Sequence, residues 1–112
     1  MNNREIALTA AKILDDKKAI DIVILDISKL SSFADYILIA SGGSERQVKS
    51  LTDEVTIQLA ALGIEKKGVE GNNGSGWVLI DFGDVIVNIF TGEQRERYGI
   101  EKIWGDSEVI EL

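Results

Sequence analysis

From residue 77 to residue 90 the chain reads Trp-Val-Leu-Ile-Asp-Phe-Gly-Asp-Val-Ile-Val-Asn-Ile-Phe, two short runs rich in Val and Ile on either side of a polar, glycine-containing break. This is the segment that most restricts the fold, because runs this short and this β-branched around a turn signal specify an antiparallel hairpin. Taking Phe82-Gly83 as a two-residue loop pairs residue 81 with 84, 79 with 86 and 77 with 88. One face of the hairpin then carries Val78, Ile80, Val85, Val87 and Ile89, and the other carries Trp77, Leu79, Asp81, Asp84, Ile86, Asn88 and Phe90. The first face is wholly aliphatic and suits a surface covered by helices. The second mixes an aromatic pair with aliphatic and hydrogen-bonding groups, a composition closer to a protein interface than to a dry core. The competing reading is that Trp77 and Phe90 finish the core beneath another element, with Asn88 satisfied by backbone. Chain length argues for the interface, since two long helices cover one face of a sheet and leave little chain for the other.

The rest of the sequence supplies those helices and the central strands. Asn3 is placed to cap a first helix running to about Lys17, with Ile6, Ala10, Ile13 and Leu14 on one stripe. Ala19 to Leu25 is a strand by its Ile and Val content, and a loop follows from Ser28 to Phe33. Asp35 to Ser41 is a near-continuous apolar run, the pattern of a strand covered on both faces or lying centrally in a sheet. After Gly42-Gly43, Ser44 and Gln47 have capping-box spacing, and Val48, Leu51, Val55, Leu59 and Leu62 form a helical stripe that Gly63 ends as a C′ residue. Lys66 to Val69 reads as a short strand, and Glu70 to Gly76 as a flexible loop by composition. Thr91 and Gln94 repeat the capping-box spacing and open a short helix through about Tyr98. The expected fold is α/β: a single-layer mixed sheet of about five strands, with two long helices and a short C-terminal one. One domain is expected over residues 1–105, and the acidic tail at 106–112 is expected to fray.

Composition narrows the chemistry. The 112 residues include no Cys and no His, which excludes Cys/His zinc sites, thiol nucleophiles and histidine bases. A net charge of −7, from 12 basic and 19 acidic residues, disfavours a broad grip on a phosphate backbone, so little or no direct nucleic-acid binding is expected. No stretch approaches the roughly 18 apolar residues of a membrane span, and the expected location is cytoplasmic. Gly42-Gly43-Ser44 between a strand and a helix could bind an anion, but it lacks the spacing of a P-loop or dinucleotide fingerprint and is better explained as a turn and a cap. A Gly-Ser pair opening a helix is also similar to the nucleotidyltransferases, which hold magnesium with alternating carboxylates on the next strand. Asp53 and Glu54 fall within a helix, and Asp81 and Asp84 are separated by the turn, so that pattern is missing. No metal, cofactor or catalytic residue is therefore expected. A magnesium-dependent enzyme using Gly43, Ser44, Asp81 and Asp84 stands as the alternative class. A homodimer joined through the mixed face is a third.

Several segments are jointly more informative: Ala34-Asp35-Tyr36, Ser44-x-Arg46-Gln47-Val48, Glu70-Gly71, the block from Trp77 to Phe90, Arg95-x-x-Tyr98, and Glu101-Lys102-Ile103-Trp104. In this order they resemble the ribosomal silencing factor, or Iojap-like, family from the first helix to Trp104. The resemblance implies a fold related to the nucleotidyltransferases without their active site. It also implies a non-enzymatic translation repressor that binds ribosomal protein fourteen of the large subunit and blocks joining of the small subunit. Carried over residue by residue, it implies a partner-binding surface of Trp77, Asp81, Asn88, Phe90 and Tyr98, together with Leu79 and Arg95. Relatives commonly have His where this chain has Asn88; an amide keeps a donor and an acceptor but loses the imidazole ring.

Overall fold

The computed structural model describes residues 1–71 and 74–111. The chain runs α1 (Asn3–Asp16), β1 (Ile20–Asp26), β2 (Tyr36–Gly42), α2 (Glu45–Ala61), β3 (Gly68–Glu70), β4 (Trp77–Asp81), β5 (Val85–Thr91), α3 (Gly92–Tyr98), α4 (Ile100–Ile103) and β6 (Glu108–Ile110). The strands form one mixed sheet in the order β3-β4-β5-β2-β1-β6. Its two central strands, β2 and β5, are parallel, and every other pairing is antiparallel. The α/β class and single-layer mixed sheet expected from the sequence are present, with six strands where about five were expected.

The additional strand is in the tail. Glu108, Val109 and Ile110 pair with Asp26, Leu25 and Ile24 of β1, and Ile110 is buried in the core. The acidic composition of 106–112 hid the adjacent β-branched pair Val109-Ile110, and an open edge of β1 gave its backbone a ladder to join. Leu112, at the end of this tail, lies outside the described residues, as do Asn72 and Asn73 of the loop expected at 70–76.

Local chemistry sets the helix ends. Asn2, rather than Asn3, caps α1: its side chain accepts from the Glu5 amide at 2.8 Å, and the Glu5 carboxylate accepts from the Asn2 amide at 3.1 Å. Asn3 is thereby freed to donate to Asp35 at 3.1 Å and to Asp84 at 3.3 Å, tying the first turn of α1 to the hairpin turn. Ser44 caps α2 as its spacing predicts. At the other end, the Gly63 amide donates to the Ala60 carbonyl and Ile64 to Leu59, the paired bonds of a Schellman motif with Gly63 at C′.

The hairpin pairs two residues away from the expected register. Trp77 faces Phe90, Leu79 faces Asn88 and Asp81 faces Ile86, while the Phe82 amide donates to the Val85 carbonyl at 3.0 Å. The two-residue loop is therefore Gly83-Asp84, not Phe82-Gly83. Gly83 has φ of 96°, which a side chain would oppose, and Asp81 holds the turn by accepting from the Gly83 amide at 2.7 Å. Phe82 is buried in the core rather than exposed at the tip. Because side chains alternate with a period of two, a two-residue slip leaves each one on its expected face.

Both faces carry apolar clusters of unequal size. Val78, Ile80, Val85, Val87 and Ile89 join Ile24, Leu38 and Ala40 beneath α1 and α2, which contribute Ala10, Leu14, Leu51, Val55 and Leu59. On the opposite side a smaller cluster unites Ile37, Ile39, Ile86 and Phe90 with Leu25, Ile27 and Ala34, and half-buried Trp77, Leu79, Ile100 and Trp104 pack against it. The short C-terminal elements and the loop after β1 thus cover part of the face for which little chain was expected to remain.

Candidate docking face

Site geometry starts with Trp77 and Phe90, which are register partners on β4 and β5. Their rings stack at 5.7 Å between centroids and 6° between planes, an offset arrangement that aromatic quadrupoles favour. Phe90 is 1% exposed and forms the floor. Tyr98 leans over this pair from the end of α3, 4.9 Å from Trp77 and 6.0 Å from Phe90. It is 49% exposed. Its position depends on Gly99, whose φ of 56° turns the chain from α3 into α4 immediately after it.

The seven residues expected to bind a partner fall into distinct positions. Tyr98 is open to solvent, and Trp77, Leu79 and Asp81 are half-buried along β4. Phe90 and Asn88, at 1% and 2% exposure, lie below the surface and are not placed to touch a partner. A strand followed by a helix that folds back over it buries these central positions, which hairpin alternation alone could not reveal. Arg95 is also turned inward, with its side chain 12% exposed. Its guanidinium pairs with Glu101 at 2.7 Å and donates to Ser41 Oγ at 3.0 Å and the Ile20 carbonyl at 3.4 Å, fastening α3 to the sheet. It thereby supports Tyr98 one turn later.

Other residues extend the apolar surface. Phe33, 59% exposed at the tip of the loop after β1, lies 5.9 Å from the half-buried Trp104 ring. Phe33 also borders a shallow groove with Val69, Leu79 and Ile86, whose acidic rim is Glu70 and Asp81. Ile103, on α4, is 69% exposed. The sequence carried signals for these residues in the Ile103-Trp104 pair and in a lone aromatic within a polar loop, but their convergence required knowing that α4 folds back toward that loop. A run of exposed aromatic and aliphatic side chains rimmed by carboxylates has the composition of a protein-binding surface.

The residues of the enzymatic alternative are not gathered. Gly43 and Ser44 follow the C-terminal end of β2, beside Thr91, whereas Asp81 and Asp84 flank the turn beside Tyr36 at the other end. A strand of this length separates them by roughly 20 Å. The Gly43 amide already donates to Gln47 Oε1 at 2.5 Å, so the cap itself occupies it. Among the described residues no group of three or more His, Cys, Asp or Glu side chains could hold a metal ion, and no helix is long and apolar enough to cross a membrane.

Known proteins match this arrangement across the whole chain. The family model for the ribosomal silencing factor during starvation matches residues 1–112. A ribosomal silencing factor from Bacillus subtilis is 42% identical over 112 residues, covering 100% of this chain and 95% of that protein. The crystal structure of a Chromobacterium violaceum protein superposes with a TM-score of 0.90 at 41% identity, covering 94% of this chain and 88% of its own. One from Bacillus halodurans superposes with a TM-score of 0.85 at 39% identity, covering 98% and 100%. With the fold, the full-length model and these identities in agreement, the chain belongs to the ribosomal silencing factor family.

Proposed function

We propose that this protein is a ribosome-associated translation repressor that acts by occupancy: it binds ribosomal protein fourteen on the large subunit through the Trp77/Tyr98 face and blocks joining of the small subunit. The observation that carries this reading is the exposed aromatic face on a chain that matches the silencing-factor model from end to end. Occupancy requires no chemistry, only volume at the subunit interface and sufficient residence time. A surface with net charge −7 favours approach to a basic ribosomal protein and disfavours ribosomal RNA, so orientation is left to the apolar contacts and their acidic rim.

Sedimentation with purified large subunits tests this directly. Wild type is expected to pellet with the large subunit, and adding small subunits afterwards should give fewer joined particles. Trp77→Ala should weaken co-sedimentation at least about tenfold, the usual size of losing an aromatic anchor. Absence of wild-type pelleting would remove the function, and equal pelleting by both would remove the face. Isolated ribosomal protein fourteen should reproduce the Trp77-dependent binding, which separates it from other large-subunit targets.

A further inference from the structure

We infer that Asn88 is a positioning residue for Trp77: its buried carboxamide fixes the indole in the orientation that the docking face presents. The indole N–H is the only hydrogen-bond donor in a Trp side chain, and here it donates to Asn88 Oδ1 at 3.1 Å. Asn88 is well placed to set that orientation, being enclosed between Leu79 of β4 and Ile39 of β2 and only 2% exposed. Its amide nitrogen points to the Leu38 carbonyl at 3.5 Å, and since only the NH₂ end can donate to a carbonyl, the oxygen is left facing the indole. The two halves of the carboxamide therefore have fixed and different tasks, and exchanging them would set oxygen against oxygen.

Phe90 and Asn88 constrain different motions of the same ring. Stacking on Phe90 at 6° restricts tilt but tolerates sliding and rotation in the plane, because dispersion is non-directional. A hydrogen bond is directional, so the contact to Asn88 selects the edge of the indole that faces inward. Without that acceptor, the part-buried N–H is left unpaired and the ring is driven to seek water. A partner would then have to reorder the indole on binding, which lowers affinity without loss of any direct contact.

The docking consequence rests on the function proposed above, whereas the orientation of the indole can be measured on the free protein. In Asn88→Leu the side chain keeps its approximate shape and loses its acceptor, and the Trp77 indole proton, assigned by its absence in Trp77→Phe, should exchange with solvent about tenfold faster. Backbone amides of β4 and β5 should keep their protection, a result that general loosening of the hairpin would not give. Large-subunit affinity should fall by a similar factor. Asn88→His offers a ring nitrogen as acceptor and should restore slow indole exchange and most of the affinity. Unchanged indole exchange in Asn88→Leu would overturn the positioning role whatever happens to binding. Faster exchange with undiminished affinity would uphold the orientation and overturn its use in docking. Failure of the wild type to bind would remove the proposed function while leaving the exchange result to decide the role of Asn88.

Discussion

The two faces of the sheet are built from the same strands yet are finished differently. Beneath α1 and α2 the packing is mainly aliphatic, and Leu14, Leu38, Leu51, Val55, Leu59, Ile80, Val87 and Ile89 are at most 1% exposed. On the other face the covering elements are a loop, a helix of 7 residues and a helix of 4, too short to span the sheet. Aromatic rings fill what those elements leave, with Phe90 sealed and Trp77 and Tyr98 progressively more open. Large rings can bury one side against the protein and expose the other, as a closed aliphatic layer cannot. The difference teaches that a binding face need not be a surface added to a finished core: the face proposed here for docking is the outer layer of a second core left incomplete.

The largest expected effects test whether the open face really has a core. Phe90→Ala should cost about 3–5 kcal/mol and Leu51→Ala about 2–5 kcal/mol, both read by denaturant unfolding. If the open face were only a surface, Phe90→Ala would cost less than about 1 kcal/mol, and the comparison would be broken. Next in size is a separation of stability from binding. Tyr98→Ala removes a ring that is already half in solvent, so it should leave unfolding within about 1 kcal/mol of wild type while weakening large-subunit co-sedimentation about tenfold. A Tyr98→Ala protein that loses stability as Phe90→Ala does would place Tyr98 in the core and sharpen the boundary between the layers.

How much of this was legible in the sequence follows from the range over which each signal acts. The α2 cap at Ser44 and its end at Gly63 depend on neighbours within a few residues and are where the spacing puts them. The sorting of the hairpin into two faces survived a wrong register because the slip was even: Phe82-Gly83 and Gly83-Asp84 are both plausible turn pairs, and the choice was made by Phe82 finding the core. The signals failed where contacts were long-range. Nothing near Ile110 indicated that β1 had an open edge, and nothing near Arg95 indicated that Ser41 and Ile20 would engage its guanidinium. For the same reason the proposed docking residues could be named by resemblance, but their division into Tyr98 outside, Trp77 between, and Asn88 and Phe90 beneath could not.

The smallest expected effect concerns the loop that carries Phe33 to the open face. This loop leaves β1 at Asp26, whose carboxylate accepts from the Ser28 hydroxyl at 2.6 Å and the Ser28 amide at 3.0 Å. Those bonds hold the Asp26 carboxyl below its ordinary value of 3.8, the hydroxyl contributing most, with minor help from the charges of Lys29 and Arg4. A carboxyl depressed on folding favours the folded state once ionised, so its contribution is complete above the unfolded pKa near 3.8 and fades as pH falls through the lower folded value. Asp26 is half-buried and its two bonds to Ser28 lie at the surface, which limits the effect to about 0.5 kcal/mol or less. Asp26→Asn should therefore be slightly less stable than wild type at neutral pH, and the difference should shrink as pH falls below 3.8. A gap that stays constant down to acid pH would mean that the turn is held by shape rather than charge. Ser28→Ala separates the two further: it removes the larger bond but keeps the backbone one, so it should reproduce most of the Asp26→Asn loss at neutral pH and let Phe33 move more freely against Trp104.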